Sequence, residues 1–350
     1  MSDLKKLKKD IHRWSQELGF DQMGVSGVEI EKDEEKLIQW LKNNHHGSMK
    51  YMEKYGKKRA RPYELIPGAL RVISFRMTYH FFDKEMSEKR IDDNTNAYIA
   101  NYALGRDYHK TIRSKLKEII SRISEHSNII EKNYFVDSAP VLERALARNA
   151  GLGWIGKNTN LINKNHGSWF FIAEIITDIE LEIDHPATNH CGSCKECIDV
   201  CPTSAIVAPY ELDARKCVSY LTIESKESIP KEMRKSIGNR IFGCDDCQIF
   251  CPWNKFAKKP VIDDFKPREA FEDASLKSLF KWTKEEWDEK TKGSAIRRTG
   301  YHGWLRNIAV ALGNSKKETS TVDLLKSRKG DASSMVDEHI DWALEQQLSD

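Results

Sequence analysis

Eight cysteines are the residues whose type and crowding most directly suggest chemistry in this sequence. All of them fall between Cys191 and Cys251 of a 350-residue chain. The first twenty residues place apolar side chains at helical intervals with charges between them, a pattern of a surface helix and not of an export signal. We therefore expect a cytoplasmic protein. In that reducing compartment, clustered cysteines indicate metal binding and not disulfides.

The cysteines form two runs that each end in Cys-Pro. The first run reads Cys-x2-Cys-x2-Cys-x3-Cys-Pro from Cys191 to Pro202, which is the spacing of a bacterial-type iron–sulfur run. The second run, from Cys244 to Pro252, lacks its first member because position 241 is Ile. Cys217 is the thiol left to take that place.

In bacterial ferredoxins, the last cysteine of each run binds the other cluster. We therefore predict two neighbouring [4Fe-4S] clusters that transfer electrons one at a time. Two structural zinc sites are the alternative, but those are generally built from separated Cys-x2-Cys pairs and do not need a triplet. The predicted ligands are Cys191, Cys194, Cys197 and Cys251 for the first cluster, and Cys201, Cys217, Cys244 and Cys247 for the second.

The elements that must position such a site are predicted to be mixed. Helical periodicity is clear in the first twenty residues and again from Tyr108 to Ile123, and strand patterns lie at 21–28, 71–75, 133–137 and 168–177. The predicted fold class is α+β with a mixed α/β first domain. The predicted domains are an α/β domain at 1–187, a ferredoxin-like domain at 188–255 and a helical region with HEAT-like hairpins at 256–350.

Charge and hydropathy restrict the function less strongly. Lys and Arg total 56 against 53 Asp and Glu, and the resulting net charge of +3 does not by itself indicate nucleic-acid binding. No apolar run is long enough to cross a membrane. Basic residues in the segment 218–243 either face a substrate or form a solvated helix. Local composition favours RNA contact at 57–61 and at Arg297, Arg298, His302, Trp304 and Arg306, although solvated surface charge is the ordinary interpretation.

Three further motifs carry candidate chemistry. Asp137 follows a predicted strand, where burial would raise its pKa and make it a proton donor, while a helix-capping carboxylate is the alternative. Residues 151–156 match Gly-x-Gly-x-x-Gly, but a helical pattern precedes them, so we expect a loop that approaches some ligand other than a dinucleotide. Asp107 and His109 begin an Asp-x-His-x-x-Gly cobalamin signature that fails at position 112, which is Ile. His109 is therefore expected to be a surface or capping residue.

Four motifs together resemble the epoxyqueuosine reductase family and occur in that family's order. They are RDYH at 106–109, DSAPVLERALARNAGLGWIGKN at 137–158, the first cysteine run, and GCDDCQIFCPWN at 243–254. The resemblance extends over residues 1–312. It implies a cobalamin-dependent oxidoreductase with two [4Fe-4S] clusters that reduces epoxyqueuosine to queuosine at the wobble position of tRNA, the last step of queuosine biosynthesis.

The resemblance also implies roles for individual residues. Electrons would pass through the clusters to cobalamin, and Asp137 would protonate the departing oxygen. Ala100 corresponds to a cysteine seen near cobalt in some members. Cobalamin, bound base-off without a histidine ligand, would contact Ala100, Asp137, Arg144, Lys157, Asn158, Ser168, Ile172, Ser219, Asp245 and Asp246. The tRNA anticodon stem-loop would contact Arg61, Ser225, Arg297 and Arg298.

Partners and alternative functions follow from the same resemblance. A low-potential donor of flavodoxin or ferredoxin type would supply electrons, and we expect a monomer that does not contact a membrane. A corrinoid-dependent reductive dehalogenase is one alternative, but those enzymes are mostly exported by twin-arginine signals, which this sequence lacks. A plain ferredoxin-type electron carrier and an RNA-binding protein with structural metal are the others.

Overall fold

The structure is a computed structural model that describes residues 2–82, 84–126 and 133–349. Its strands are β1 (Gln22–Ser26), β2 (Arg71–Thr78), β3 (Tyr98–Ile99), β4 (Tyr134–Phe135), β5 (Trp154–Ile155), β6 (Leu161–Ile162), β7 (Phe170–Thr177), β8 (Ile206–Ala208), β9 (Glu211–Leu212) and β10 (Arg240–Phe242). Mixed helix and strand content confirms the predicted fold class.

Helices occupy both the first half of the chain and most of its carboxyl-terminal third. They are α1 (Ser2–Glu17), α2 (Glu31–Lys42), α3 (Tyr51–Lys54), α4 (Pro62–Leu65), α5 (Lys84–Asp92), α6 (Tyr108–Ile123), α7 (Glu143–Asn149), α8 (Glu196–Asp199), α9 (Lys231–Ile237), α10 (Asp246–Ile249), α11 (Leu276–Phe280), α12 (Lys284–Lys290), α13 (Gly300–Asn314), α14 (Thr319–Arg328) and α15 (Ser334–Leu348). Among the described residues, none of these helices combines the length and the apolar character that crossing a membrane requires.

A four-stranded antiparallel sheet in the order β1-β2-β7-β4 forms the centre of the first domain. Both faces of β2 and β7 are buried, because α1 and α6 cover one face and α7 covers the other. Apolar residues on α6 recur at helical spacing toward the sheet, and Asp107 caps that helix by accepting the backbone N–H of His109. The sheet therefore holds α6 and α7 close to the carboxyl-terminal part of β4.

A second core joins three distant parts of the sequence. It contains apolar residues from 97–104, from 218–242 and from 271–343. Helix α13 is buried nearly all around and packs against α15, α11 and β10. The carboxyl-terminal helices thus pack on the body of the protein and contribute to its core.

Several basic residues that the sequence suggested for RNA or substrate contact are structural instead. Arg306 is completely buried and donates to the backbone oxygens of Ser225, Glu227 and Leu221. Trp304 is also completely buried. In the segment 218–243, Arg234 is 1% exposed and pairs with Glu338. The expected RNA contact is therefore wrong for Arg306 and Trp304. The expected solvated or substrate-facing position is wrong for Arg234. In each case the reason is burial of the side chain.

Candidate active site and cysteine quartets

The four cysteines predicted for the first cluster surround one cavity of about 260 Å³. Short turns at the start of α8 and at 251–252 bring them together, and Lys157, Trp253 and Phe256 complete the lining. Trp154 Nε1 donates to Cys191 Sγ over 3.4 Å, and Lys157 Nζ donates to the carbonyls of Gly192 and Cys194. Cys194 is exposed, so this cavity reaches the protein surface.

The other four cysteines form a second, deeper quartet. Cys217 and Cys247 lie close enough to Cys201 to interact electrostatically, and Cys244 lies close to Cys217. The backbone N–H of Ala205 donates to Cys201 Sγ over 3.2 Å. None of the eight cysteines forms a disulfide. Among the described residues, no three His, Cys, Asp or Glu side chains converge on a single-ion site.

A separate cavity of about 280 Å³ lies between the second quartet and α7. Gln248, one residue after Cys247, lines it and donates to Ser168. Asn160 lines it as well and contacts Cys247 Sγ at 3.9 Å. The remaining lining residues are Tyr79, Tyr108, Asp137, Glu143, Arg144, Leu161, Ser168, Phe170, Phe171 and Ile172. We refer to this space as the central cavity.

Asp137 is one of the residues that line the central cavity. Its backbone is left-handed, with φ 53°, and its carboxylate accepts the Tyr108 hydroxyl at 2.7 Å. His109 Nε2 lies 3.4 Å from the same oxygen. Burial by the cavity walls opposes ionisation of Asp137, but hydrogen bonds from His109 and Tyr108 and the charges of His109 and Arg298 outweigh it and lower its pKa. The expectation of a raised pKa was therefore wrong, because it ignored these two partners.

His109 is held between two carboxylates. Its Nδ1 lies 2.9 Å from Asp107 and its Nε2 faces Asp137. Burial disfavours the charged ring, but the hydrogen bonds to both carboxylates outweigh burial and raise the pKa of His109 to about 9. The imidazolium thus has both nitrogens engaged within the protein, which agrees with the failed cobalamin signature at this position.

Comparisons with known proteins cover nearly the whole chain. Residues 59–138 match a family described as "Epoxyqueuosine reductase QueG, DUF1730", and residues 190–254 match a "4Fe-4S double cluster binding domain". An epoxyqueuosine reductase of Xanthomonas campestris is 52% identical over 96% of this chain and 95% of its own. The Escherichia coli enzyme of the same name is 47% identical over 99% of this chain and 91% of its own. The chain belongs to the epoxyqueuosine reductase family.

Solved structures of that family agree with the fold. An epoxyqueuosine reductase crystallised with an epoxyqueuosine-modified tRNA-Tyr stem loop superposes with a TM-score of 0.89 at 28% identity, over 99% of this chain and 91% of that chain. The Bacillus subtilis epoxyqueuosine reductase, solved with its catalytic aspartate loop swung out of the active site, gives 0.87 at 27% identity with the same coverage. The chain is therefore an oxidoreductase with a double [4Fe-4S] domain.

The family resemblance assigned ten residues to cobalamin, and the structure brings four of them to the central cavity: Asp137, Arg144, Ser168 and Ile172. Lys157 and Asn158 line the first cysteine cavity instead. Ser219 lies next to Tyr220, at the start of a π-helical turn. Ala100 is buried and donates its backbone N–H to Phe242.

Asp245 and Asp246 are engaged with protein groups. The Asp245 carboxylate accepts from the Tyr98 hydroxyl and from both the backbone and side-chain amides of Asn101. Asp246 forms a two-pronged ion pair with Arg240, and both side chains are almost fully buried. Both carboxylate oxygens of Asp246 are thus engaged within the protein, whereas all three hydrogen bonds to Asp245 fall on its Oδ2.

Glycines 151, 153 and 156 do not form a ligand cradle. A Cβ on Gly153 would lie 2.3 Å from the carbonyl oxygen of Ile162, and one on Gly156 would lie 2.4 Å from the Ile162 side chain. Gly151 adopts a φ of 78°. The glycines allow the β5-β6 hairpin to close tightly, so contacts within the protein account for them.

The four residues proposed for tRNA contact lie in different environments. Arg298 pairs with Glu224, covers the Tyr51 ring and acts electrostatically on Asp137. Arg297 pairs with Asp288 instead, and Arg61 with Glu34 and Glu64. Ser225 is 6% exposed. Of the four, Arg298 is the residue that acts electrostatically on Asp137.

Two acidic residues that the sequence did not single out belong to this site. Glu143, the first residue of α7, lines the central cavity. Glu174 lies in the middle of β7 and is completely buried. Its position inside the apolar run FFIAEIIT could have been noticed in the sequence. A charged residue in a strand that is buried on both faces is costly, and therefore indicates a special role. Glu143 carries no such signal, because acids are common in the first turn of helices.

Proposed function

We propose that this chain reduces epoxyqueuosine to queuosine in tRNA. The observation that carries the proposal is the lining of the central cavity, which includes both Asp137 and Asn160, whose side chain contacts Cys247 of the second quartet. A substrate in this cavity would lie close both to the proposed second cluster, which supplies electrons, and to Asp137, which supplies protons. The names of the relatives and the tRNA stem loop bound to one of them support the choice of substrate.

We propose the two quartets as the ligands of the two clusters, in the grouping expected from the sequence. Two groups of four free thiols fit two thiolate-bound [4Fe-4S] cubanes. Such cubanes transfer one electron at a time at low potential. Electron entry is proposed at the first quartet because Cys194 is exposed. The second quartet then stands between that entry and the central cavity. A donor of ferredoxin or flavodoxin type has the low potential that this order requires.

We further propose cobalamin as the ligand of the central cavity. The lining fits a flat, partly apolar macrocycle with amide side chains, since Leu161, Phe170 and Ile172 are apolar and Asn160 and Arg144 are polar. The engaged state of His109 fits a corrinoid without a histidine ligand. An enclosed volume of about 280 Å³ receives only part of such a ligand. Cobalamin, when bound, supplies a cobalt centre that low-potential electrons can reduce.

Asp137 is proposed to deliver protons to the epoxide oxygen. It lies on the loop between β4 and α7, and its relative in Bacillus subtilis is described with a catalytic aspartate loop. Arg298 beside it is proposed to contact a phosphate of the anticodon loop, because it is a half-exposed guanidinium next to the cavity. Arg61, Arg297 and Ser225 stay as proposals for more distant contacts with the tRNA.

Replacing Asp137 by Ala tests this assignment. Iron, sulfide and corrinoid content should match the wild type, while queuosine formation from epoxyqueuosine-containing tRNA should fall by about 100-fold or more, since general acid catalysis contributes on that order. Asp323→Asn is the control, because Asp323 is an exposed aspartate of α14. Turnover at the wild-type rate in Asp137→Ala would refute the role of Asp137.

A further inference from the structure

Two carboxyl groups line the central cavity, and a third, on β7, interacts electrostatically with both. The backbone N–H of Asp137 donates to Glu143 Oε2 over 3.1 Å, and both side chains line the cavity. Glu174 lies on the same face of β7 as Phe170 and Ile172, which also line it, because side chains alternate along a strand. The Glu174 side chain is completely buried, and neither oxygen has a hydrogen-bond partner among the residues that the structure describes.

The surroundings of Glu174 do not compensate a negative charge. Its partner on β2 is Ser74, whose hydroxyl is also buried and without a partner among the described residues, and its partner on β4 is Phe135. Burial, together with repulsion from Glu143 and Asp137, raises the pKa of Glu174 well above its usual value. An isolated ionised carboxylate in such a place is very costly, so the neutral acid is the stable form.

Glu143 also favours its neutral form. Burial and then repulsion from Asp137 raise its pKa to about 8, although Arg144, the backbone N–H of Asp137 and His109 act in the opposite direction. The other titratable groups facing it are Tyr108, on α6, and Glu174, on β7. Asp137 itself is ionised, because its pKa is lowered. These shifts favour a proton on Glu143 over one on Asp137 in the resting site.

The reaction needs more protons than Asp137 holds. Converting the epoxide to an alkene breaks two C–O bonds, forms one C=C bond and releases the oxygen as water. The balance requires two electrons, supplied one at a time by a reduced ferredoxin or flavodoxin, and two protons, which both end on the same oxygen. An ionised Asp137 holds neither proton at the start, and after one delivery it must be protonated again.

We propose that Glu143 is the resident acid of the central cavity and passes its proton to Asp137, which hands it to the epoxide oxygen, with Glu174 as the second acid behind it. This inference rests on the proposed function. Asp137 and Glu143 act as a coupled pair that shares a proton. A nucleoside bound against Asp137 displaces water from around its carboxylate, which favours moving the proton onto Asp137. Protons from solvent restore both acids after the product leaves.

Glu143→Gln is the informative variant, because the glutamine carbonyl still accepts the backbone N–H of Asp137 but the acid is gone. Glu182→Gln is the matched control, since Glu182 is an exposed glutamate with 64% of its side chain accessible. Glu143→Asp keeps an acid at the same position. Cluster content and melting temperature of each variant show whether it is folded.

The first readout is the infrared carbonyl band of protonated carboxylic acids in cluster-loaded, corrinoid-free protein. We expect the wild type and Glu182→Gln to show this band at pH 7, with one component lost around pH 8. Glu143→Gln should lack that component. If Glu143→Gln keeps the full wild-type band and its titration, the assignment of the resident acid is wrong.

The second readout is single turnover of the reduced, corrinoid-loaded enzyme with epoxyqueuosine-containing tRNA across pH. The wild-type rate should fall as the pH rises past about 8, and Glu143→Gln should be slower by about 100-fold and lose this dependence. Glu143→Asp should keep a pH-dependent rate. Equal rates and profiles in wild type and Glu143→Gln contradict the relay alone, whereas a wild-type enzyme that forms no queuosine contradicts the proposed function.

Discussion

Asp137 is held in an unusual backbone conformation by the groups that also set its charge. A φ of 53° is uncommon for a residue with a side chain, although aspartate tolerates it better than most. The Tyr108 hydroxyl fixes its carboxylate, and Tyr108 in turn stacks on Phe171 of β7 with ring centroids 4.1 Å apart. The orientation of this carboxylate thus depends on packing against the sheet.

The charge on His109 predicts a pH-dependent contribution to stability. Because the pKa of His109 is raised from 6.5 to about 9, its contribution is fully present below pH 6.5 and is lost as the pH rises through about 9. Compared with His109→Gln, the wild type should therefore gain most in melting temperature near pH 6 and little above pH 9. Melting curves of both proteins between pH 6 and 10 measure this difference. A difference that does not change with pH would contradict a charged His109.

Neighbouring arginines should differ in their effect on tRNA binding. Arg298 acts electrostatically on Asp137, which lines the cavity, whereas Arg297 pairs with Asp288 on α12. We expect Arg298→Ala to weaken binding of an anticodon stem-loop by about tenfold and to reduce the dependence of log affinity on log salt concentration by about one. Arg297→Ala should change both quantities less. Fluorescence titrations at several salt concentrations measure them, and an equal loss in both variants would exclude the special position of Arg298.

At the scale of elements, α13 shows why local composition misled. Its Trp304 and Arg306 were assigned to an RNA-binding group because charged side chains are ordinarily expected at the surface. Arg306 instead satisfies three backbone carbonyls of the segment 218–243. These acceptors lie about eighty positions earlier in the sequence, and no local pattern connects the two segments.

Removing the Arg306 side chain should therefore affect stability and not RNA affinity. Arg306→Ala leaves buried carbonyl groups without donors and opens a cavity, which together should lower the free energy of unfolding by about 3 kcal/mol or more. Melting temperature is the measurement, with Lys316→Ala as a surface control. The folded fraction should bind the stem-loop like the wild type. A melting temperature equal to that of the control would show that these hydrogen bonds do not stabilise α13.

Much of the element pattern was predictable, and the parts that were not share a physical cause. Strands and helices with strong periodicity, such as β2, β7 and α6, appear within a few residues of their expected positions. Spacing rules also anticipated which cysteines come together. The acid at Glu143 and the pairing of Asp246 with Arg240 were not anticipated, because burial and charge compensation depend on residues distant in sequence.

At the scale of the whole molecule, the first cysteine cavity opens at a surface with both cationic and aromatic groups. Lys255 and Phe256 line its rim, and 43% of Phe256 is exposed. Ferredoxins and flavodoxins are generally acidic, so the basic and partly apolar rim around the exposed Cys194 fits the donor proposed above.

Reversing the charge at this rim should separate electron delivery from catalysis. Lys255→Glu is expected to raise the KM for an acidic ferredoxin or flavodoxin by about tenfold, while turnover driven by dithionite stays unchanged. Lys316→Glu, on the loop before α14, is the control for net charge. Initial rates at varied donor concentration and ionic strength measure the effect. A loss of dithionite-driven turnover would mean that the substitution damages the first cluster itself.

The first cysteine cavity and the central cavity share no lining residue. A redox protein docked at one mouth therefore does not by itself obstruct an RNA held at the other, and neither has to depart before its counterpart arrives. Plots of reciprocal velocity against reciprocal tRNA concentration, taken at several fixed donor concentrations, would then intersect instead of running parallel. The RNA can also remain seated while successive donor molecules each bring a single electron.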